Sequence, residues 1–239
     1  MSFDRWRSLV DGAEVDVGPA IPDSVDYRLP ADEGSGQTVS PSIGDVDLSL
    51  EFDRWVSGSQ YNGDVAVDPD DGEEGYTEDR VGVNSEQVTV GVWIDGVTVH
   101  GTASAFMAAN VDEKTLDAPQ NGWIYGIEGT DQISLYHCDG GFSQIFSVDL
   151  PSGTFDDHLM PVYVGDGDTG EIYLYNADGD LIANESGTES RDIGDAYFNL
   201  WFTGGDWSTG PTDDIWAASG TAMSQSEIED VLTSTGPNA

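Results

Sequence analysis

Apolar and polar residues alternate along many short stretches of this chain, and this period of two limits what it can fold into. Every second residue is apolar over residues 46–52, and over residues 87–94 every second residue is Val or Ile. In a later stretch, Ser134 and Tyr136 are predicted to face opposite to Leu135. Alternation of this kind is typical of a β-strand that buries one face.

One part of the sequence predicts a complete run of antiparallel strands. Residues 162–164 form a strand, 166–170 a turn, 171–175 the returning strand, and 176–179 a second turn into 181–182. The turns are rich in Asp and Gly, which supply local hydrogen bonds and positive φ angles. Many short strands with such turns and no helices between them indicate an all-β sandwich or barrel.

A single helix is well marked, near the C-terminus. Ser224 and Glu227 have the spacing of a capping box, in which each side chain satisfies an N–H group at the helix start. Ile228, Val231 and Leu232 follow at helical spacing and predict one apolar stripe. A Gly-Pro pair then ends the helix.

The length of 239 residues suits one large β domain. Residues 1–22 show little periodicity and are interpreted as an N-terminal arm, whereas 23–239 are predicted to form the domain. No apolar stretch approaches the roughly 20 residues that span a bilayer. Because acidic, polar sequence follows Met1, we expect no secretory signal and synthesis inside a cell.

Acidic residues dominate the charge of the chain. There are 46 Asp and Glu against 7 Lys and Arg, a formal net charge of −39, and the only lysine is Lys114. The acids are scattered from Asp4 to Asp230, which favours adaptation of the whole surface to concentrated salt over an acidic tail. The same charge argues against a nucleic-acid partner or an anionic membrane, since both bind basic patches.

Cysteine and histidine suggest no metal site. Cys138 is the only cysteine, so no internal disulfide can form, and it is interpreted as a small buried residue of a strand. His100, His137 and His158 are far apart in sequence and lack metal-ligand spacing.

The last third of the chain resembles the close of a laminin-G-like domain of the concanavalin-A-like group. The resemblance rests on the strand and Gly pair of 198–205, the acidic strand of 212–216 and the short helix start at 222–228. Residues 174–181 are similar to the family's central hairpin, and Trp93 stands where its tryptophan strand has Trp. The resemblance covers about residues 25–233.

This resemblance implies an all-β, two-sheet antiparallel jelly-roll sandwich with one short C-terminal helix. Tyr27 departs from the pattern, since Trp is common at that place. Members of the family mostly bind glycans or proteins, and some carry calcium. Function must nevertheless be argued from a site, because a fold alone does not determine it.

Glycoside hydrolysis, which occurs among wider relatives, needs two carboxyl groups about 5 Å apart on a cleft face in its retaining form. Glu171 lies on a suitable strand, but Tyr173 and Tyr175 share its face. Glu227 and Glu229 belong to the helix, as cap and solvent face. The sequence therefore gives hydrolysis little support.

Calcium has more candidate ligands. Residues 68–71, 166–168 and 178–180 concentrate carboxylates on loops, although each is equally well explained as an acidic turn. The family's structural ion can involve an acid of the segment that contains Asp213. The resemblance therefore makes Asp213 the predicted ligand of a structural calcium ion.

Aromatic side chains near loops are candidates for stacking on sugar rings, although in a β-sandwich such residues more often pack in the core or at its rim. They are Trp55, Tyr61, Tyr76, Trp123 and Trp207. Trp207 lies in a Gly-rich loop beside Asp206, so these two residues are the predicted ligand-binding pair.

We expect a non-enzymatic virion surface protein of a virus of halophilic archaea: a capsid decoration, turret or fibre component. It would assemble in the host cytoplasm with its own copies and other virion proteins, and contact a host surface glycan or glycoprotein without inserting into the membrane. The alternative is a host cell-surface module for glycan binding or adhesion. A glycoside hydrolase is the third hypothesis.

Overall fold

The computed structural model describes part of the chain, including the helix near its C-terminus. The described residues are 21–58, 60–69, 75–77, 86–96, 98–99, 104–111, 122–128, 132–138, 142–150, 158–189, 197–199, 207–208 and 210–235. The predicted arm, residues 1–22, therefore lies outside the described residues except for its last two.

The described residues form two main antiparallel sheets. The first sheet has the strand order β15-β14-β13-β7-β18-β5-β4, with β1 also paired to β18, and the second has the order β12-β11-β10-β9-β16. Strands of the first sheet are β1 (Tyr27–Leu29), β4 (Trp55–Ser57), β5 (Val65–Val67), β7 (Gln87–Asp95), β13 (His158–Asp166), β14 (Thr169–Asn176), β15 (Leu181–Thr188) and β18 (Thr212–Ser219). Strands of the second sheet are β9 (Ser104–Val111), β10 (Gly122–Glu128), β11 (Gln132–Cys138), β12 (Phe142–Asp149) and β16 (Tyr197–Asn199).

Short strands complete the described part of the chain. β2 (Thr38–Val39), β3 (Leu48–Leu50) and β6 (Gly75–Thr77) form one small sheet, and β8 (Thr98–Val99) pairs with β17 (Trp207–Ser208). The mostly antiparallel strands and one short helix confirm the predicted all-β sandwich.

The main core lies between the two large sheets. Val88, Val90, Val92 and Ile94 of β7 contribute one row of it. Trp123, Tyr125, Ile133, Leu135 and Tyr163 are among the other members. The alternation predicted for residues 87–94 is therefore confirmed, because every apolar residue of one parity is buried in this core.

The other face of the first sheet is also buried over its central strands, which the sequence did not predict. The helix α1 (Gln225–Thr235) covers it, and Ile228, Val231 and Leu232 pack in a second apolar cluster with Trp93 and Trp216. A Cβ atom on Gly91 would lie 2.4 Å from Cζ2 of Trp216, so only glycine leaves room for this indole.

The hairpins of residues 158–188 match the predicted order of strands and turns. The first turn is tighter than predicted: β13 continues to Asp166, β14 begins at Thr169, and Gly167 has a φ of 62°. Asn176 organises the second turn, since its Oδ1 accepts bonds from the N–H groups of Asp178 and Asp180, at 3.0 and 2.9 Å.

The helix begins close to the predicted capping box. The N–H group of Ser224 donates to Oε2 of Glu227 at 2.8 Å, as the motif requires. The Ser224 hydroxyl also donates to this carboxylate, at 2.7 Å, rather than accepting from the backbone. These two bonds hold the pKa of Glu227 below its usual value.

Candidate functional site

The outer face of the hairpin formed by β11 and β12 presents a row of polar side chains. Ile133 and Leu135 point into the main core, so Ser134 and Tyr136 point away from it, as predicted. The strand register places Ser147 opposite Ser134 and Asp149 opposite Gln132. We name the outward set the β11–β12 polar face; it consists of Gln132, Ser134, Tyr136, Gln144, Ser147 and Asp149.

A β-bulge brings Gln144 onto this face. The register shifts between Leu135 and Tyr136, so that Phe146 opposes Leu135 whereas Gln144 opposes Tyr136. The Nε2 atom of Gln144 then donates to the Ser134 hydroxyl at 2.9 Å. Bulges re-aim side chains in this way at functional surfaces.

A second cross-strand bond orders the other end of the β11–β12 polar face. The Nε2 atom of Gln132 donates to Oδ1 of Asp149 at 2.6 Å. Asp149 and Gln144 are exposed, Gln132 and Ser147 are half-buried, and Ser134 is fully buried beneath Gln144. The exposed part of the face therefore lies along β12, whereas Ile124 on neighbouring β10 is fully buried.

This face offers several kinds of hydrogen-bonding group within one small area. The amides of Gln132 and Gln144 both donate and accept, the Asp149 carboxylate accepts, and the half-buried Ser147 hydroxyl does either. Tyr136, 8% exposed, adds an aromatic ring beside the amide of Gln144. The set matches a ligand that carries many hydroxyl groups and some apolar surface.

A different polar cluster lies inside the sandwich. Glu189 is 3% exposed and accepts a bond from the Tyr163 hydroxyl at 2.6 Å. The ring of Trp123 lies 4.9 Å from that of Tyr163. Because these side chains are buried between the sheets, we interpret the bond as an anchor for the end of β15.

A third cluster surrounds His158 at the end of β13. The Tyr61 hydroxyl donates to Oδ2 of Asp95 at 2.7 Å, and the strand register places His158 opposite Asp95. The imidazole makes edge contacts with the rings of Tyr61 and Trp93. Burial lowers the pKa of His158, and the nearby charge of Asp95 opposes this effect.

The predicted ligand-binding pair is described only in part. Trp207 lies in the two-residue strand β17, where its backbone pairs with Val99, and its side chain lies outside the described part of the structure. Asp206 also lies outside the described residues. The binding role of these two residues stays a prediction.

Asp213 lies in β18 and is fully buried. Its neighbour Asp214 forms a two-bond ion pair with Arg28, and the charge of Asp213 also acts on that guanidinium. Among the described residues, no three or more His, Cys, Asp or Glu side chains are grouped to hold a metal ion. Asp213 as a calcium ligand stays a prediction.

Other interpretations from the sequence can be compared with the described residues. Cys138 is buried in β11, and Trp55, Tyr61 and Trp123 pack in or against the interior, as is common in a β-sandwich. His137 and His158 are half-buried, and His100 lies outside the described residues. No described helix is long and apolar enough to cross a membrane.

Sequence reasoning selected none of the six residues of the β11–β12 polar face as candidate site residues. The alternation around Ser134 and Tyr136 predicted that these two side chains share one face of a strand, but it could not show which strand lies alongside. The available signal was the alternation of apolar and polar residues over 146–149, shortly after β11.

No protein-family profile matches the chain. No curated protein matches it either. Similarity is found among solved structures. Domain 4 of AbnA, a GH43 extracellular arabinanase from Geobacillus stearothermophilus in complex with arabinotriose, matches with a TM-score of 0.61 and 15% identity over 87% of this chain and 97% of that one.

Two further structures show the same likeness. The binding domain of botulinum neurotoxin DC in complex with SialylT has a TM-score of 0.60 and 12% identity over 89% of this chain. Trypanosoma rangeli sialidase in complex with sialic acid has a TM-score of 0.57 and 14% identity over 90% of this chain. The chain spans 51% of the neurotoxin chain and 33% of the sialidase chain.

At these identities the similarity concerns the fold alone. The three matches agree with the two described sheets, and the resemblance to laminin-G-like domains is confirmed at the level of the jelly-roll sandwich.

Proposed function

We propose that this chain is a non-enzymatic carbohydrate-binding module that contacts its ligand through the β11–β12 polar face. The observation that carries the proposal is the pair of ordered amides, the half-buried Gln132 and the exposed Gln144, each held by a cross-strand bond between β11 and β12. Side chains already held in place lose less conformational entropy when a ligand binds.

The similar solved structures support a sugar as the ligand. One is the arabinanase domain in complex with arabinotriose, another the sialidase in complex with sialic acid, and a third the neurotoxin binding domain in complex with SialylT. Glycan binding was the alternative hypothesis from the sequence, and the comparisons favour it over the leading one.

A binding role without catalysis is supported by what the candidate carboxylates contact. Glu171 accepts a bond from Asn184 at 3.2 Å, Glu227 caps the helix, and Glu229 accepts a bond from Gln225 at 2.8 Å. Each of these contacts gives the carboxylate a structural role. Hydrolysis of a glycan that binds the module would contradict this part of the proposal.

The biological setting is a finer proposal. A sugar-binding module would serve attachment equally on a cell surface or on a virion of a halophilic archaeal virus. The acidic composition supports a salt-rich setting for either role. Detection of the chain in envelope fractions or in purified virions by mass spectrometry would separate the two.

A glycan array tests the binding function. The full chain is labelled and applied in 2 M KCl to immobilised neutral and charged oligosaccharides, and a retained ligand is then titrated. We expect Gln144→Ala to weaken binding about tenfold or more, since the loss of a hydrogen bond in a site costs about 1–3 kcal/mol. Asn184→Ala, on exposed β15 of the other sheet, should bind as the native chain does.

Circular dichroism on both variants controls for folding. If the native chain bound no glycan on the array, the proposed function would be wrong. If Asn184→Ala weakened binding as much as Gln144→Ala, the ligand would not bind at the β11–β12 polar face.

A further inference from the structure

We infer that the β11–β12 polar face selects uncharged saccharides and discriminates against anionic ones such as sialylated glycans. This inference rests on the proposed function and names the ligand class of the same site. It matters because the similar structures include complexes with both kinds of sugar, arabinotriose and sialic acid.

The first argument is the charge of the face itself. Its six side chains include one carboxylate, Asp149, and no Lys or Arg. Carboxylates and phosphates are recognised mainly by Arg and Lys, often with two parallel bonds. An anionic sugar placed beside Asp149 would meet a like charge without a compensating cation from the face.

The second argument concerns the arginines that the structure describes. Arg28 in β1 is held by Asp214. Arg54 donates to the backbone oxygen of Asp68 at 2.6 Å and lies over the ring of Phe52. Both belong to the first sheet or its border and are committed to partners there, whereas the polar face belongs to the second sheet.

The third argument concerns the neutral side chains of the face. Oδ1 of Asp149 already accepts the Gln132 amide, and the other five side chains are neutral. Amide groups pair with sugar hydroxyls as both donors and acceptors. The amides of Gln132 and Gln144 therefore fit the hydroxyl groups of an uncharged sugar.

Concentrated salt separates the effect of the charge on this face from the effect of the net charge of the whole chain on ligand binding. At 1 M salt the screening length is about 3 Å, so repulsion between a ligand and distant carboxylates is removed while direct contacts persist. If the face selects its ligand, the preference for uncharged sugars will persist in 2 M KCl.

The test uses matched ligands on the array in 2 M KCl. They are lactose and 3′-sialyllactose, with chitotriose and arabinotriose as further uncharged ligands. We expect 3′-sialyllactose to bind at least tenfold more weakly than lactose. Asp149→Lys should bring 3′-sialyllactose to within about threefold of lactose.

Asp166→Lys is the matched control, because Asp166 is exposed on the first sheet and also accepts a Gln amide, from Gln87 at 2.9 Å. It changes the net charge equally and should leave the preference unchanged. Equal effects of the two variants would overturn the inference, as would native binding of 3′-sialyllactose at least as tight as that of lactose. In those cases the proposed function would stand, whereas it would fail if no glycan bound.

Discussion

A single polar side chain, that of Thr89, links the buried second face of the first sheet to the segment before α1. The hydroxyl of Thr89 donates to the backbone oxygen of Thr221 at 3.0 Å and accepts from the N–H group of Met223 at 2.9 Å. It thereby joins β7 to the segment that leads into α1. A buried hydroxyl would be costly without such bonds, so this residue helps to fix where the helix begins.

Tyr27 shows how a departure from the family pattern is accommodated. The ring is 2% exposed in the main core, and its hydroxyl donates to the backbone oxygen of Val46 at 2.8 Å. Tyr therefore fills the apolar position where Trp is common, because its one polar atom has a partner.

His158 allows a prediction of pH dependence. Its pKa in the folded chain is lowered, chiefly by burial, from a reference value of 6.5. The unfolded chain therefore binds the proton more readily, and stability falls as the pH drops through about 6.5 towards the folded pKa. We expect His158→Phe, which keeps a ring between Tyr61 and Trp93, to lose less Tm between pH 7.5 and pH 5.5 than the native chain.

Thermal denaturation at several pH values in constant 2 M KCl measures this difference. The acidic residues titrate in both proteins, so only the contrast between the two curves reports on His158. Parallel curves would show that the imidazole does not stabilise the fold more when neutral.

At the scale of elements, period-two alternation predicted the strands well because each strand buries a row of residues between the sheets. It missed that β7 is buried on both faces, since Thr89 and Gly91 do not look apolar. The second face of β7, which carries Thr89, Gly91 and Trp93, is covered because α1 packs over that side of the first sheet. The apolar stripe of α1 was predicted, but a stripe does not show which surface it meets.

The candidate site was predictable only in part, for a related reason. The outward direction of Ser134 and Tyr136 follows from one strand, whereas their proximity to Gln144 depends on strand pairing and on a bulge. The sequence prediction selected aromatic residues near loops instead, and one of these, Trp123, lies in the core. The sequence of one strand shows which of its side chains share a face. A binding face, however, combines side chains from neighbouring strands, whose pairing one strand does not show.

The packing of α1 on the first sheet gives a prediction about this element. Ile228 is fully buried in the cluster that contains Trp93 and Trp216. We expect Ile228→Ala to lower the free energy of unfolding by about 2–5 kcal/mol, through lost burial and the cavity left behind. Guanidinium titration in 2 M KCl measures the loss.

Glu229→Ala, on the exposed side of the same helix, is the matched control and should change stability by no more than about 0.5 kcal/mol. Equal losses in the two variants would mean that packing of the Ile228 side chain on the sheet does not set the contribution of α1, because Ala is the better helix former at both positions.

At the scale of the whole molecule, the net charge of −39 opposes compaction, whereas the sandwich core is of ordinary apolar composition. Like charges spread over a folded surface repel one another more than in the expanded chain. Only 7 basic residues are available to offset this repulsion. Stability in dilute buffer should therefore be limited by charge and not by packing.

Added salt should raise the stability of the fold. We expect Tm to rise steadily between 0.1 and 2 M KCl, because the screening length falls from about 10 Å to below 3 Å and removes most of the repulsion. In a chain of this size, 1 kcal/mol corresponds to about 2–4 °C, so relief of several kcal/mol would raise Tm by roughly 10 °C or more.

Sucrose at matched osmolality is the control, since it is excluded from protein surfaces without screening charge. A Tm that rose equally in sucrose and in KCl would assign the effect to exclusion from the surface. A Tm that stayed constant from 0.1 to 2 M KCl would show that the scattered carboxylates are not an adaptation to salt. A rise specific to KCl would instead place the working environment of the chain in concentrated salt, where the proposed ligand of the β11–β12 polar face would have to be recognised through short-range contacts alone.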